Sequence, residues 1–365
     1  MEPNPYIQKA RAYPLASHKA WEEHDKKSVL KLDWNESDVA LPLAVRRAVV
    51  DFVMKGPTNW YPDVANKALV GSIAKYAGVP EDYVQYFVGE DCALDYAVRT
   101  FVSVGDKVGI LAPTYDNFRV FVESVGAVPT YIYGKDIFAS EIALPLKEVS
   151  KEMKMAYLVN PNNPTGVLYS RAEIEKLLKA FPNVIFFVDE AYVEFSGVTA
   201  APLVEKYENL IIGRSFSKAF GLASFRLGYL ISSPKNLAHI NKIRNGKSIS
   251  ALAQIAALAA LKNPAYVRRY AAEVRKTRAL LSKELKKLGF SVRETPGNFI
   301  LLNVADPAAV SAALQKKKVF VRTLGHLPSM EKYLRVTVGT AQNAKKFLGI
   351  VRGLIKHGQL STAQN

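Results

Sequence analysis

The chain has 365 residues, 49% of them hydrophobic and 22% charged, which is a globular composition and too long a chain for one small core. A single cysteine excludes an internal disulfide framework, and no apolar run or leader-like segment suits a bilayer or export, so we expect a cytoplasmic protein with no membrane partner. The net charge is +16, but the basic residues are scattered and lack any nucleic-acid-binding motif, which argues against a nucleic-acid partner.

Residues 1–30 show no sheet pattern, and we expect them to form an arm that packs on a small C-terminal domain. From residue 31 to residue 262, short apolar runs alternate with amphipathic helical patterns. The predicted strands are Val84–Val88, Lys107–Leu111, Val128–Tyr133, Met155–Val159, Val184–Val188 and Leu210–Ile212, and the predicted helices include Cys92–Val104, Tyr115–Val125 and Arg171–Ala180. Repeated strand–helix–strand units predict an α/β domain with a mostly parallel sheet.

The pattern changes after residue 262. Residues Pro264–Leu288 predict one long helix, rich in Arg, Lys, Glu, Ala and Leu and ended by Gly289. The short strands Asn298–Val304 and Tyr333–Thr337 and two further helices follow. We therefore expect residues 263–365 to form a smaller α+β domain.

Polar or aromatic residues follow five predicted strands, at the edge where open α/β sheets bind ligands. These segments are Gly89-Glu90-Asp91, Pro113-Thr114-Tyr115, Asn160–Gly166, Asp189–Tyr192 and Ser215–Lys218. Taken alone, Asp189 could cap a helix, Lys218 could be a surface lysine and Tyr192 could pack in the core. Together they provide a phosphate-binding helix N-terminus, an aromatic ring, an amide, a carboxylate and a lysine, which is the set that pyridoxal phosphate needs.

Longer motifs connect these segments. They are Tyr61-Pro62-Asp63, Asn160–Gly166, Asp189–Phe195, Ser215–Tyr229 and Tyr333–Thr340. With them the sequence resembles the fold-type I aminotransferases, most closely the histidinol-phosphate aminotransferase group, over nearly the whole chain. The resemblance implies an aspartate-aminotransferase-like fold, with a seven-stranded, mostly parallel sheet flanked by helices in the large domain, and a homodimer.

The resemblance also implies roles for the residues around the cofactor. Lys218 would hold pyridoxal phosphate as a Schiff base and later move a proton. Asp189 would pair with the ring nitrogen, Tyr192 and Asn163 would hydrogen-bond the ring hydroxyl, and Tyr115 would stack on the ring. The implied phosphate-binding set is Ser215, Ser217, Arg226 and the backbone N–H groups near Glu90 and Asp91, with Tyr61 reaching across the dimer interface. No metal site is predicted.

The implied substrate-binding set is Asn35, Tyr61, Tyr115, Asn163, Arg322 and Arg335. A bidentate arginine suits a carboxylate or a phosphate. Around the substrate, however, the sequence departs from the group. Pro14-Leu15 stands where the group has Pro-Tyr, and Trp60 stands where it has arginine. We expect Tyr13, one residue away, to point elsewhere, and His326 to be a surface histidine.

Three functions remain open. The first is transfer of an amino group between glutamate or 2-oxoglutarate and a small phosphorylated substrate such as histidinol phosphate. The second is decarboxylation of an O-phospho-amino acid, because phosphothreonine decarboxylases share the fold and most of these motifs. The third, a non-catalytic binding protein, is disfavoured because Lys218, Asp189 and Arg226 are all present.

Overall fold

The computed structural model describes residues 1–13, 18–134, 136–139 and 152–360. Its strands are β1 (Leu30–Leu32), β2 (Val84–Phe87), β3 (Lys107–Ala112), β4 (Val128–Tyr133), β5 (Met153–Val159), β6 (Ile185–Asp189), β7 (Leu210–Ser215), β8 (Gly228–Ser232), β9 (Ser291–Glu294), β10 (Phe299–Asn303), β11 (Val319–Thr323) and β12 (Tyr333–Thr337). Its α-helices are α1 (Pro5–Lys9), α2 (Lys19–Glu22), α3 (Leu43–Lys55), α4 (Lys67–Ala77), α5 (Gly89–Phe101), α6 (Asn117–Ser124), α7 (Arg171–Ala180), α8 (Val193–Ser196), α9 (Pro234–Asn241), α10 (Ala251–Lys262), α11 (Ala265–Lys287), α12 (Pro307–Gln315) and α13 (Ala341–Lys356).

Seven strands form the larger sheet, in the order β2-β8-β7-β6-β5-β3-β4. Strand β8 runs antiparallel to both β2 and β7, and the other adjacent strands of this sheet pair in parallel. Side chains of β5 alternate between two hydrophobic clusters: Tyr157 packs in one, and Ala156 and Leu158 pack in the other. The sheet is therefore covered on both faces, which confirms the predicted α/β fold and its seven-stranded, mostly parallel sheet.

The second sheet has five strands in the order β1-β11-β12-β10-β9. Strand β1 runs parallel to β11, and the other pairs are antiparallel. Residues 31 and 32 thus belong to the second sheet, although the sequence placed them at the start of the large domain, because a three-residue Leu-Lys-Leu strand is too short to show a period. The division into an arm, a large domain and a small domain stays a prediction.

The parallel strands set the position of the site. The carboxyl ends of β2, β3, β5, β6 and β7 meet at one edge of the larger sheet, where α5 begins directly after β2. This helix starts at Gly89, three residues earlier than predicted, so its first turn contains the acidic residues Glu90 and Asp91. In the described ranges, no helix is both long enough and apolar enough to cross a bilayer.

Candidate active site

A cavity of about 1020 Å³ lies at this edge, between the larger sheet and the arginine-bearing strands β11 and β12. Twelve of the predicted site residues line it: Glu90, Asp91, Tyr115, Asn163, Asp189, Tyr192, Ser215, Ser217, Lys218, Arg226, Arg322 and Arg335. The fold therefore brings side chains from positions 90 to 335 of the chain to one cavity.

The amine of Lys218 lies inside this cavity, just after β7. Its Nζ donates a hydrogen bond of 2.9 Å to the backbone oxygen of Trp34. Burial, followed by the positive charge of Arg335, lowers the pKa of Lys218 to about 8. A lysine with this pKa is partly neutral near neutral pH, which is the form that attacks an aldehyde.

The carboxylate of Asp189 is buried at the end of β6. Its Oδ2 accepts a hydrogen bond of 2.7 Å from the Tyr157 hydroxyl, and its Oδ1 accepts one of 3.0 Å from the N–H of Ala191. Burial raises the pKa of Asp189, and these two hydrogen bonds oppose that rise. The carboxylate is thus fixed in orientation and suited to a cationic ring N–H. Sequence reasoning missed Tyr157, which reads as an ordinary core residue of a strand.

Tyr192 and Asn163 lie on the cavity wall, whereas Asn35 lies behind it. The Nδ2 of Asn35 donates to the Tyr192 hydroxyl at 3.0 Å, and the Oδ1 of Asn35 accepts from Thr337 at 3.0 Å. Asn35 has no exposed surface, and its side chain is already bonded within the protein. The Oδ1 of Asn163 accepts a hydrogen bond of 2.6 Å from Arg335. The structure therefore places Asn163 beside Arg335, and it places Asn35, predicted to bind substrate, behind Tyr192 with its side chain bonded to protein groups.

A cradle of donors surrounds the start of α5. Arg226 lies 3.2 Å from the Asp91 carboxylate and donates to the Ser217 hydroxyl at 3.4 Å, and the Ser215 hydroxyl accepts from the Ser217 N–H at 3.0 Å. Gly89 has φ of +71°, and a Cβ built on it would lie 2.6 Å from the Arg226 guanidinium. A guanidinium, two hydroxyls and the free N–H groups of a helix N-terminus suit a phosphate. Together with Lys218 and Asp189, they fit pyridoxal phosphate.

The aromatic side of the cavity contains a residue that sequence reasoning had dismissed. The Tyr115 hydroxyl donates to Asp91 at 2.9 Å, and its ring meets the Tyr13 ring edge-on with centroids 5.9 Å apart. Tyr13 lines the cavity, so the expectation that it points elsewhere is wrong. The course of the N-terminal residues brings Tyr13 to the cavity, and no residue spacing in the sequence predicts that course. Pro14 and Leu15 lie outside the described residues.

Two arginines stand side by side on the opposite wall. Arg322 and Arg335 are direct partners in the register between β11 and β12. Arg335 is buried and donates to the Asp33 backbone oxygen at 2.5 Å, while its Nε has no hydrogen-bond partner among the described residues. Burial lowers the pKa of Arg335, and the charge of Arg322 acts in the same direction. Adjacent cations at a cavity wall are suited to an anionic ligand. The exposed His326 lines the same cavity.

Tyr61 is not part of this cavity in a single chain. Its side chain is 80% exposed, and the neighbouring Trp60 is 73% exposed. The Lys247 ammonium lies 5.2 Å from the centre of the Tyr61 ring. Within the described ranges, no group of three or more His, Cys, Asp or Glu side chains is placed to hold a metal ion.

Comparison with known proteins agrees with this geometry. The family model of the class I and II aminotransferases matches residues 27–351. The dihydroxyacetone phosphate transaminase Cj1437c of Campylobacter jejuni is 40% identical over 346 residues, covering 93% of this chain and 94% of that protein. A histidinol-phosphate aminotransferase of Ruminiclostridium cellulolyticum is 33% identical over 318 residues, covering 86% and 89%.

A solved structure shows the same fold. The crystal structure of the Sinorhizobium meliloti histidinol-phosphate aminotransferase in complex with pyridoxal-5'-phosphate matches with a TM-score of 0.86 at 23% identity, covering 96% of this chain and 97% of that one. The family match spans most of the sequence, and the cavity contains a lysine, a carboxylate and a phosphate cradle. The chain therefore belongs to the class I and II aminotransferases and is a pyridoxal-phosphate-dependent transaminase.

Proposed function

We propose that this transaminase moves an amino group between glutamate and a small phosphorylated carbonyl compound. The observation that supports the proposal is the pair Arg322 and Arg335, which are adjacent in the second sheet and line the cavity that holds Lys218. The positive charge of Arg335 lowers the pKa of Lys218, so the guanidinium and the amine are near enough to interact electrostatically. An anionic substrate bound by the arginines would thus lie within reach of the lysine.

Within this class we favour a three-carbon phosphorylated ketone over histidinol phosphate. The relative at 40% identity acts on dihydroxyacetone phosphate by name, whereas the relative at 33% identity is named for histidinol phosphate. This comparison concerns the substrate and leaves the cofactor assignment unchanged.

The residues of the cavity divide the reaction between them. Pyridoxal phosphate, when bound, supplies an electron sink for the carbon that carries the amino group. The neutral Lys218 amine would accept the proton from that carbon and deliver it to the aldehyde carbon of the cofactor, and it would move a proton the opposite way in the second half-reaction. Asp189 would orient the ring and keep its nitrogen protonated, and Ser215, Ser217 and Arg226 would hold the phosphate. Because both half-reactions use one cavity, we expect ping-pong kinetics.

The test is a screen of amino donors against the purified holoenzyme. Serinol phosphate, the amine that corresponds to dihydroxyacetone phosphate, is compared with histidinol phosphate and with serinol and histidinol. The absorbance of the cofactor and the transfer of the amino group to 2-oxoglutarate are measured. We expect kcat/KM for serinol phosphate to exceed that for serinol by about 100-fold or more, because two adjacent arginines, one of them buried, discriminate strongly against a ligand without the anion.

Three outcomes would contradict parts of this proposal. Equal turnover of phosphorylated and unphosphorylated amines would exclude the phosphate specificity. Faster turnover of histidinol phosphate would exclude the three-carbon preference. Release of carbon dioxide from phosphothreonine without transfer to 2-oxoglutarate would support the decarboxylase instead.

We also propose that the working unit is a homodimer in the cytoplasm. Exposed apolar side chains cluster in sequence around Tyr61, namely Val50, Val53, Met54 and Trp60, of which Met54 is 74% exposed. A second copy that covers them would remove this apolar surface from water and deliver Tyr61 to the partner's phosphate cradle. The reducing cytoplasm suits the single free cysteine, Cys92.

A further inference from the structure

A second acidic side chain lies beside Asp189, beneath the phosphate cradle. Glu90 is the second residue of α5 and is only 8% exposed. Its Oε1 atom is buried and has no hydrogen-bond partner among the described residues. A buried polar atom without a partner is costly, so its surroundings must supply a compensating interaction.

Two glycines make room for this side chain. A Cβ built on Gly213 would lie 2.5 Å from the Glu90 Oε1, and one built on Gly228 would lie 2.5 Å from the Glu90 backbone nitrogen. Gly213 is also the direct strand partner of Asp189 in the register between β6 and β7. The Glu90 carboxyl group therefore occupies the space next to Asp189 that a side chain at position 213 would fill.

The charges around Glu90 decide which of the two acids carries a proton. Glu90 is surrounded by the acids Asp189 and Asp91, the amine of Lys218, and the phenols of Tyr157 and Tyr192. Asp189 already accepts two hydrogen bonds, whereas the Glu90 Oε1 accepts none. Two adjacent buried carboxylates cannot both be ionised at low cost. Burial, and then the charge of Asp189, raise the pKa of Glu90 well above its usual range.

We propose that Glu90 is a positioning residue that, as a neutral acid, donates a hydrogen bond to Asp189 and thereby holds Asp189 as the charged partner of the cofactor's ring nitrogen. With the Tyr157 hydroxyl and the Ala191 N–H, Glu90 becomes the third donor to this carboxylate. Three donors lower the basicity of Asp189, so the proton it shares with the ring stays on the ring nitrogen. The ring then keeps its positive charge.

The test compares Glu90→Gln, which keeps a neutral donor, with Glu90→Leu, which removes the donor at similar volume. The first readout is the infrared spectrum of the apoenzyme at neutral pH. Burial raises the pKa of Glu194 to about 7, so Glu194 also contributes the carbonyl band of a protonated carboxylic acid. The band of Glu90 is therefore measured as the difference between the wild-type and Glu90→Gln spectra, and this difference is expected to contain it. The second readout is the absorbance of the bound cofactor as a function of pH, which reports the protonation of the nitrogen that joins Lys218 to the cofactor.

The two variants should differ in how far they move the midpoint of this titration. Glu90→Gln should leave the titration within about half a pH unit of the wild type, because the donor remains and no charge is lost. Glu90→Leu should raise the titration midpoint by about one unit, since a more basic Asp189 withdraws the ring proton and the ring withdraws less charge from the Lys218 nitrogen. Tyr157→Phe removes another donor from Asp189 and should shift the midpoint in the same direction, so the proposal remains testable if Glu90→Leu does not fold.

An ionised Glu90 would give the opposite pattern. Both Glu90 variants would then remove a negative charge near Lys218, and both would lower the titration midpoint. That pattern, or a difference spectrum between wild type and Glu90→Gln that contains no acid band, would overturn the proposal. A failure of the substrate screen would leave this test unaffected, because neither readout requires a substrate.

Discussion

The amine of Lys218 is set apart from the other lysines by its surroundings. It is enclosed in the cavity, it donates to a backbone oxygen, and burial together with Arg335 lowers its pKa to about 8. Burial and the charge of Arg335 favour the neutral amine, whereas the hydrogen bond to Trp34 holds the amine in position. The residue is thus prepared by the fold for bond formation with an aldehyde before any ligand binds.

Replacing this amine removes the group that joins protein to cofactor. We expect Lys218→Ala to lose the absorbance of the lysine-bound cofactor and to reduce turnover by at least about 1000-fold. Absorbance spectra and steady-state assays with the substrate found in the screen measure both effects. Lys235→Ala, which changes an exposed lysine paired with Glu208, is the control. If Lys218→Ala kept the absorbance and the turnover, the assignment of the whole site would be wrong.

The lowered pKa of Lys218 predicts how the apoenzyme takes up its cofactor. Only the neutral amine reacts, so the rate of reconstitution should rise about tenfold per pH unit at low pH and level off above about 8. Stopped-flow absorbance between pH 6 and pH 10 measures this profile. Arg335→Met removes a positive charge that disfavours the protonated amine, and it should move the plateau to higher pH by about one unit.

The control for this profile is Arg352→Met, which changes an exposed arginine paired with Glu284. Its profile should coincide with that of the wild type. A wild-type plateau near the ordinary lysine value of 10.5, or no shift in Arg335→Met, would contradict the electrostatic explanation.

Among the structural elements, the turn between β2 and α5 is the most constrained part of the phosphate cradle. Gly89→Ala would introduce a Cβ 2.6 Å from the Arg226 guanidinium at a backbone φ of +71°. We expect a loss of about 1–2 kcal/mol of stability from the left-handed backbone and a weakening of pyridoxal phosphate binding of about tenfold. Thermal unfolding and equilibrium titration of the apoenzyme with the cofactor measure the two effects.

The matched control lies in α13. Gly349 has no atom within 4 Å of its built Cβ, so Gly349→Ala should leave cofactor binding unchanged and stabilise the helix by up to about 1 kcal/mol. Cofactor affinity that falls equally in both variants would show that the effect does not come from the cradle.

The elements that the sequence predicted well are those with strong local patterns. The near-continuous apolar runs of β5 and β6 and the long helix α11 are each found close to their predicted bounds. The site residues could be predicted from the ends of the strands because parallel strands bring their carboxyl ends to one edge of the sheet. Twelve of the predicted residues accordingly line one cavity. In this way the fold and most of the cofactor set follow from local pattern and motif.

The parts that escaped prediction depend on contacts distant in sequence. Strand β9 is mostly exposed and shows no alternation, and β8 continues directly from the motif that contains Arg226. Tyr13 reaches the cavity through the path of the arm, and Tyr157 faces Asp189 only because β5 and β6 are neighbours. No window of a few residues contains that information.

At the scale of the whole molecule, the proposed dimer can be tested by mixing two inactive variants. If Tyr61 acts in the partner's site, a hybrid of Lys218→Ala with Tyr61→Ala contains one intact site. Refolding the two variants together in equal amounts should restore about one quarter of the wild-type sites, whereas each variant alone stays impaired. Sedimentation confirms the oligomeric state, and a mixture with no more activity than its components would exclude a shared site.

The net charge of +16 predicts a dependence on salt. A positive protein attracts a phosphorylated substrate over a distance, and dissolved ions screen this attraction. We expect kcat/KM for the phosphorylated substrate to fall several-fold between ~50 mM and ~0.5 M salt. An unphosphorylated amine should show a flat profile. A flat profile for both would mean that the basic surface does not steer the substrate.

The packing of Glu90 against Gly213 and Gly228 also constrains how this lineage of enzymes can diverge. Any side chain at position 213 or 228 would meet Glu90 or its backbone within 2.5 Å. A related enzyme with a larger residue at position 213 must therefore also have a shorter or displaced side chain at position 90. We expect the residues at positions 90 and 213 to change together, whereas glycine at position 228 should be kept in either case, because a Cβ there would meet backbone atoms.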